Sequence, residues 1–449
     1  MTTRLLRRTA VAAALVATLA ACAPQAAQVD SSASTGTVDT DAASLGDVTL
    51  KFLDFSGGND EVYMKKAIAA FEDAYPNITI ERTAADFDQV MATLNLRLAD
   101  KDGPDVATIN NGWQSMGTLS KGGLLLNLDP YADAYGWRDQ MAPTIQTEHE
   151  FTTDGATMGK GSLWGTPGAR LTTMGVYYNV DKLDALGLEA PTSVEDFEAA
   201  LAAAKDAGEV PIEQGMQEKT FATAPLFLLQ TMLGDPTKIT DFVYGNGDGD
   251  LAGTGMLDAA QKLADWSKNG WFNGDASGLD LEAGRNAFQA GTGVFHFDYS
   301  GSMAEEGVDG SKFARLALPQ DDEGAAVAVG APAAVLGIAA RTEHPDAAAA
   351  FVDYLGSVEM NQLAVDSGML PIRYDGVTLP DDGGVYSTEL EQTDQVTQHD
   401  GYVPFFDWAS PNMLDILGGQ AQLVFAGKST PQQLVDAAQA DYDDFHAGK

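Results

Sequence analysis

The amino-acid sequence predicts an α/β protein whose core contains a largely parallel sheet. Three observations lead to this fold class: short β-rich runs alternate with amphipathic stretches, glycine or proline separates them, and 45% of the 449 residues are hydrophobic. Strands that alternate with helices need right-handed crossovers, which join parallel neighbours. A chain of this length is expected to form two or three domains with cores of their own.

The alternation is clearest near the start of the folded body. The residue pattern predicts strands over 48–55, 78–82 and 104–109, with helices over 61–75 and 87–98 between them. In each predicted helix the apolar residues recur at helical spacing, and in each strand β-branched and aromatic residues are concentrated. Because ligands of such sheets bind beyond the carboxyl ends of the strands, we expect the following loops to lie at the binding edge.

Polar and aromatic residues in those loops are the first candidates for a binding site. The loops span 55–59, 84–88 and 110–113. The candidates that they contribute are Ser56, Asn59, Asp86, Asn110, Asn111 and Trp113.

The same alternation continues to the carboxyl terminus. The helix predicted over 194–207 has Thr192 or Ser193 as its amino-terminal cap, because a short hydroxyl side chain satisfies free backbone N–H groups there. The other elements predicted in this part are strands over 173–179, 294–297 and 333–340 and a helix over 345–355.

The composition excludes several classes of function. The chain has 65 acidic and 26 basic residues and a formal charge of −39, whereas nucleic-acid binding needs clustered lysine and arginine. One cysteine cannot form an internal disulfide, and the five histidines lack metal-ligand spacing. We therefore expect no nucleic-acid partner, no metal and no cofactor.

The first residues predict export and membrane anchoring. Residues 1–22 combine arginines with a short apolar run, as in a signal peptide, and end in Leu-Ala-Ala-Cys22. This ending resembles the bacterial lipobox, in which the cysteine is acylated. Residues 23–46 lack aromatic residues and hydrophobic periodicity, which is typical of a flexible tether. We expect an extracytoplasmic protein anchored by lipid, either on a cell surface or in a periplasm.

Short motifs spread over the body support a family resemblance. They include FEDAYPNI at 71–78, GPDV at 103–106, KGGLLLNLD at 121–129, VYYNVDKL at 176–183, GLEAPT at 187–192 and FQAG at 288–291. In this order they resemble the extracellular solute-binding proteins of bacterial carbohydrate ABC importers, the group that contains maltose-binding protein. The resemblance covers roughly residues 48–445.

The resemblance implies a two-lobed, periplasmic-binding-protein-like fold with hinge strands between the lobes. Carried onto this chain, it predicts a first lobe from 47–155 plus 333–362 and a second lobe from 156–332 plus 363–449. It also implies that a monomer captures a sugar or oligosaccharide between the lobes and delivers it unchanged to the permease subunits of an ABC importer.

A sugar site needs aromatic faces for C–H groups and polar side chains for hydroxyls. Trp113, Trp164 and Trp408 are the expected aromatic plates, and the segment around Trp408 aligns with the family's C-terminal aromatic contact. The polar candidates, together with a glycine that would let backbone approach the ligand, are Arg170, Gln217, Asp298, Tyr299, Ser300, Gly330 and Arg373.

Two other classes of function stay open at this point. A surface-anchored polysaccharide hydrolase would also suit an exported chain rich in carboxylates, but their abundance makes any proposed catalytic pair uninformative. A receptor for a polyamine, a peptide or a metal is the other alternative, and a polyamine site would need several acidic groups in the cleft.

Overall fold

A computed structural model describes residues 37–55, 58–155, 157–320, 324–333 and 335–447. Within these ranges, the strands are β1 (Val48–Phe55), β2 (Ile78–Ala85), β3 (Val106–Ile109), β4 (Glu150–Phe151), β5 (Ser162–Leu163), β6 (Arg170–Asn179), β7 (Phe295–Tyr299), β8 (Phe313–Arg315), β9 (Ala328–Pro332), β10 (Val335–Ile338), β11 (Leu370–Pro371) and β12 (Tyr402–Val403).

The α-helices of the described residues surround these strands. They are α1 (Gly58–Ala74), α2 (Phe87–Ala99), α3 (Thr118–Lys121), α4 (Asp129–Tyr135), α5 (Pro143–Thr147), α6 (Val180–Ala185), α7 (Val194–Asp206), α8 (Lys219–Ala222), α9 (Ala224–Leu233), α10 (Pro236–Tyr244), α11 (Met256–Lys268), α12 (Leu281–Gln289), α13 (Pro345–Leu355), α14 (Val358–Asp366), α15 (Val385–His399), α16 (Met413–Phe425) and α17 (Pro431–His446).

The first lobe is built on a four-stranded sheet in the order β10-β3-β1-β2. Strand β1 pairs in parallel with both β2 and β3, as the alternation of strands and helices predicts. Strand β10 comes from much later in the chain and pairs with β3 in the antiparallel direction. Phe52, Phe71 and Phe351 meet edge to face beneath this sheet and form the centre of the first core.

The second lobe is built around the long strand β6, and its sheet is mostly antiparallel. The first residues of β6 pair with β9 and β11, and its last residues pair with β7 and β8, all in the antiparallel direction. Strand β12 pairs with β9 in parallel, and an isolated parallel bridge joins Ile212 to Phe295 of β7. The expectation of a largely parallel sheet is therefore wrong for this lobe. After β6 the chain forms a series of helices, and the next strand, β7, then pairs with β6 in the opposite direction.

Segments that pass from one sheet to the other form the hinge. Thr166 pairs with Leu336 of the first sheet, and four residues later the same segment begins β6 of the second sheet. Strand β9 of the second sheet likewise leads into β10 of the first. The two lobes are thus joined by extended backbone segments that take part in both sheets. The lobe boundaries expected from the resemblance stay a prediction.

Local capping explains where several helices begin. Ser193, one of the two residues expected to cap α7, accepts a hydrogen bond from the backbone N–H of Asp196. Helix α17 begins with a reciprocal capping box between Thr430 and Gln433.

Among the described residues, no helix combines the length and the apolar character needed to cross a membrane.

Candidate functional site

A cavity of about 920 Å³ lies between the two lobes next to the hinge. The first lobe contributes Phe55 at the end of β1 and Asp60 on the first turn of α1. The second lobe contributes the start of β6, the loop after β7 and the amino-terminal parts of α8 and α12. We call this space the cleft cavity. Its position at the ends of β1 and β7 follows the rule that strand ends carry the ligand-contacting loops.

Arg170 connects the two lobes at the floor of the cleft cavity. Its guanidinium donates to the Asp60 carboxylate of the first lobe over 2.5 Å and lies 5.2 Å from the centre of the Tyr63 ring. Arg170 is the first residue of β6, so the hinge strand itself carries this contact. Burial raises the pKa of the Tyr63 hydroxyl, which therefore stays neutral beside the ion pair.

The loop after β7 is held against β6 by hydrogen bonds that place its side chains on the cavity wall. The Ser300 N–H donates to the Thr173 carbonyl over 2.8 Å, and the Thr173 N–H donates to the Ser300 hydroxyl over 3.1 Å. On the other side of Thr173 lies Gly330, where a Cβ atom would come within 2.9 Å of that residue. Tyr299 and Ser300 line the cavity, whereas Gly330 pairs with Thr173 of β6 and does not line it.

Asp298 does not line the cleft cavity but pairs with Arg285, which does. Its buried carboxylate accepts two hydrogen bonds from Arg285, over 2.6 and 2.8 Å, and lies 3.2 Å from His296 Nε2. Burial alone would raise the pKa of the Asp298 carboxyl, but the paired Arg285 guanidinium outweighs it and holds that pKa well below its usual range. Arg285 itself lines the cavity and also donates to Glu305.

Of the aromatic residues that line the cavity, Tyr299 was expected from the sequence, whereas Phe55 and Phe221 were not. Phe221 and Tyr299 meet edge to face with their ring centres 5.8 Å apart, and Tyr299 lies 6.4 Å from Phe405. On the opposite lobe Phe55 lines the cavity and packs against Phe87. Phe55 ends a predicted strand within the loop 55–59, which is a signal that could have identified it. Phe221 lies in the four-residue helix α8, for which the sequence carries no comparable signal.

The three tryptophans expected as aromatic plates lie in the core. Trp113, Trp164 and Trp408 are only 2, 0 and 3% exposed, and the lining of the cleft cavity includes none of them. The Trp113 indole donates to the Val243 carbonyl, and the Trp164 indole donates to the Phe151 carbonyl. Their polar edges are thus satisfied inside the protein and their faces pack against other side chains, as in a structural tryptophan.

The remaining loop candidates also lie away from the cavity wall. Asp86 caps helix α2, and Asn110 accepts a hydrogen bond from the backbone N–H of Asn111. Asn111 is buried, and neither polar atom of its side chain has a hydrogen-bond partner among the described residues. The end of β1 thus lines the cavity, whereas the loops 84–88 and 110–113 do not.

Gln217 and Arg373 are separate from the cluster as well. Gln217 is exposed beside α16, and the Arg373 guanidinium donates to the Gln140 side chain over 3.1 Å. Cys22 and Ser56 lie outside the described residues, as does the side chain of Asn59. The structure thus brings Arg170, Tyr299 and Ser300 together from the sequence candidates.

Asp407 is a second buried carboxylate of this lobe and lies near Tyr299. It is buried next to Trp408 in sequence and accepts a hydrogen bond from the Gln114 side chain over 3.2 Å. Burial raises the pKa of the Asp407 carboxyl to about 6.

Among the described residues, no group of three or more histidine, cysteine, aspartate or glutamate side chains could hold a metal ion.

Two lobes, hinge segments that cross between them and a cavity between the lobes are the architecture of a two-lobed solute-binding protein fold. Known structures share this fold. A chitin oligosaccharide binding protein superposes with a TM-score of 0.74 at 20% identity, covering 90% of this chain and 100% of that one. The GacH receptor of Streptomyces glaucescens gives 0.68 at 18% identity, covering 89% and 99%. RafE from Streptococcus pneumoniae gives 0.67 at 18%, covering 89% and 98%.

The sequence itself identifies the family. Residues 57–362 match the model of the bacterial extracellular solute-binding proteins, and the chain belongs to that family. No curated protein sequence matches the chain significantly. The family resemblance inferred from the short motifs is confirmed, and so is the two-lobed α/β fold that it implied.

Proposed function

We propose that this protein captures a sugar or oligosaccharide in the cleft cavity and delivers it unchanged to an ABC importer. The observation that carries the proposal is the combination of aromatic and hydrogen-bonding side chains around one interlobe cavity of about 920 Å³. This volume is within the usual range for small-molecule sites. Membership of the solute-binding family supports capture without a chemical step.

The cavity offers both kinds of contact that a sugar needs. The rings of Phe221, Tyr299 and Phe55 supply apolar surface for the C–H faces of a pyranose. Arg170 and Ser300 supply polar groups at the same wall, where they can pair with hydroxyls. Stacking and hydrogen bonds each contribute about 0.5–1.5 kcal/mol net, so a few of each reach the roughly 8 kcal/mol of a micromolar complex.

The structures that share the fold support the same class of ligand. Among them are RafE in complex with raffinose, a maltose-bound protein of T. maritima and a Listeria monocytogenes substrate-binding protein in complex with cycloalternan. Their identities to this chain are 19, 17 and 15%, so the specific sugar of this protein is not transferred from them.

Ligand binding is coupled to closure of the lobes. A ligand that touches Phe55 and Asp60 on the first lobe and Tyr299 on the second stabilises the conformation in which these residues are close. Closure about the hinge is then a population shift toward that conformation. The closed form docks on the permease, and acyl chains on Cys22 keep the monomer near its membrane partner through the tether 23–46.

The test is a thermal-unfolding screen of the protein with mono- and oligosaccharides. A sugar at a hundred times its dissociation constant adds about 2.7 kcal/mol to the free energy of unfolding, which is readily seen as a higher midpoint. Calorimetry of the best sugar should give one site, and chromatography should recover that sugar unchanged. Release of new reducing ends would instead indicate a hydrolase.

Matched tyrosine variants locate the site. Tyr299→Ala removes a ring from the cavity wall and should weaken sugar binding at least tenfold, which corresponds to about 1.4 kcal/mol. Tyr178→Ala removes a half-buried tyrosine of β6 that does not line the cavity and should leave the dissociation constant within twofold. Equal affinities for the two variants, or a folded protein that binds no sugar, would contradict the proposal.

A further inference from the structure

Three successive residues at the end of β7, which we call the wall segment, are each held from behind. Tyr299, Ser300 and Gly301 make up this segment, and all three line the cleft cavity. The Tyr299 carbonyl accepts a hydrogen bond from the Tyr177 hydroxyl over 3.1 Å. Ser300 exchanges two hydrogen bonds with Thr173. Tyr177 and Thr173 both belong to β6, so the first two residues of the wall segment are attached to the hinge strand.

Gly301, the third residue of the wall segment, is held by a different element. Its backbone N–H donates a hydrogen bond to the Glu389 side chain over 2.8 Å. Glu389 lies 88 positions later in the chain, on α15, which is outside the lining of the cleft cavity. One side chain of a helix behind the wall therefore fixes the end of a segment whose other residues depend on β6.

Gly301 needs this partner because of its conformation and its burial. Its φ angle is +83°, a region that favours glycine, and a Cβ atom there would lie 2.9 Å from the Gly368 carbonyl oxygen. The residue is buried, so loss of the acceptor would leave an unpaired buried N–H, which costs about as much as a lost hydrogen bond. Because glycine has more backbone freedom than any other residue, we expect the wall segment to shift until this N–H is satisfied.

Stability by itself does not explain a glutamate at position 389. The Glu389 side chain is buried, and its Oε1 atom makes no hydrogen bond to any described residue. Burial raises the pKa of the Glu389 carboxyl, and the positive charge of Arg315 offsets this only in part. A hydrophobic side chain of similar size would avoid the cost of burying a carboxyl, but it could not accept the Gly301 N–H. That bond is therefore what glutamate contributes here.

The strand that holds the rest of the wall segment is itself firmly supported. The buried Arg315 guanidinium donates to the Thr173 hydroxyl over 3.0 Å and to the Met174 carbonyl over 2.8 Å. It lies directly against the backbone of β6, because a Cβ atom on Gly175 would come within 2.1 Å of the Arg315 Nε. A change at Glu389 should therefore displace the wall segment and leave β6 in place.

We propose that Glu389 is a positioning residue of the sugar site, whose carboxyl holds Gly301 so that Tyr299 and Ser300 present their side chains to the cleft cavity. This inference rests on the proposed function and adds to its site a residue that does not touch the ligand. A binding site has to be held to within about 0.5 Å of its productive geometry, so a shift of the wall segment weakens binding even though each contacting side chain is still present.

Substitutions at one position separate the reach of the side chain from its charge. The probe is the sugar among glucose, maltose, raffinose, xylotriose and chitotriose that binds the wild-type protein most tightly in calorimetry. Glu389→Gln keeps an oxygen at the same reach without the charge, and its dissociation constant should stay within about twofold of wild type. Glu389→Asp keeps the carboxyl but shortens the side chain by one methylene, and Glu389→Leu removes the acceptor. We expect binding at least about fivefold weaker for the aspartate variant and about tenfold weaker for the leucine variant.

A matched control removes the same kind of bond elsewhere. Glu72 of α1 accepts the Ile80 backbone N–H, also over 2.8 Å, and does not line the cavity, so Glu72→Leu should leave the dissociation constant within twofold. Circular dichroism and melting curves establish that each variant is folded at the temperature of titration. In a Tyr299→Ala background, Glu389→Leu should weaken binding by no more than about threefold, because one of the side chains through which it acts is gone.

The outcomes separate this inference from the proposed function. Weaker binding in the aspartate and leucine variants, with wild-type affinity in Glu389→Gln and Glu72→Leu, supports it. Wild-type affinity in Glu389→Asp, loss of affinity in Glu389→Gln, or an undiminished effect of Glu389→Leu beside Tyr299→Ala overturns it and leaves sugar capture intact. A folded wild-type protein that binds no sugar overturns the proposed function, and this inference with it.

Discussion

The buried pair between Asp298 and Arg285 yields a sharp prediction about stability. Asp298→Asn keeps the shape of the side chain but leaves the Arg285 guanidinium with Glu305 as its remaining charged partner. The Asp298 side chain is 0% exposed and that of Arg285 is 19% exposed. Removing one partner of a buried pair costs about 3–5 kcal/mol, and we expect the lower end, about 3 kcal/mol, because Arg285 keeps some solvent and Glu305.

A surface pair of equal length provides the control. Lys219 and Asp415 are also 2.6 Å apart, but their side chains are 50 and 75% exposed. Asp415→Asn should therefore change the free energy of unfolding by no more than about 1 kcal/mol. For a lobe of this size, 3 kcal/mol corresponds to a fall of about 6–12 °C in the melting temperature. Urea denaturation followed by circular dichroism at pH 7 measures both variants.

The pH dependence and a double variant complete this test. The pKa of the Asp298 carboxyl is lowered in the folded state, so the stability from the pair is present above the unfolded pKa of about 4 and is lost only in stronger acid. The difference between wild type and Asp298→Asn should then be constant from pH 5 to 8. Adding Arg285→Gln should recover at least about 1 kcal/mol, since it removes the guanidinium that has lost its buried partner. A loss no larger than that of Asp415→Asn would refute the reasoning.

Three further predictions follow from burial and packing. Burial raises the pKa of the Asp407 carboxyl to about 6, so the folded protein is less stable when this carboxyl is charged. Asp407→Asn should therefore stabilise the protein by up to about 3 kcal/mol at pH 8 and by little at pH 4. Melting temperatures measured across this pH range check the prediction. Trp164→Phe should lower the melting temperature and leave sugar affinity unchanged, because Trp164 is buried in the core. Phe221→Ala should weaken sugar binding about tenfold and have little effect on the melting temperature, because Phe221 lines the cavity. The reverse result would place the Trp164 indole at the ligand. Gly112→Ala should lower the free energy of unfolding by at least about 1 kcal/mol, because φ at this position is +75° and the new Cβ would lie 2.4 Å from the Cβ of Trp408. Urea denaturation measures this change, and an unchanged midpoint would contradict the prediction.

Local sequence patterns predicted the elements of the first lobe well. Strand β1 and helix α13 have the predicted bounds, 48–55 and 345–355, because each combines a strong periodicity with a clear end signal. The start of α7 also follows from one hydroxyl side chain, Ser193. In the second lobe, pairing along β6 depends on where distant segments return, which periodicity does not encode.

The candidate site shows the same division. Tyr299 and Ser300 were identified because they follow a predicted strand, and Arg170 because its guanidinium can donate hydrogen bonds to sugar hydroxyls; all three line the cavity. The three tryptophans were placed at the cleft because indole suits a sugar, yet the same ring equally suits a core. Which of these two uses applies depends on side chains far away in the sequence, such as Phe151 beside Trp113.

By itself, the sequence determined the family, the alternation of strands and helices in the first lobe and the acidity of the molecule, because these depend on local spacing and composition. The tertiary structure alone decided which aromatic rings face the cleft cavity, that Asp298 supports Arg285 from beneath the wall, and that both cavity arginines are already paired. The physical reason is that burial and charge pairing are set by contacts between residues of different elements, from 13 positions apart for Arg285 and Asp298 to 110 for Asp60 and Arg170.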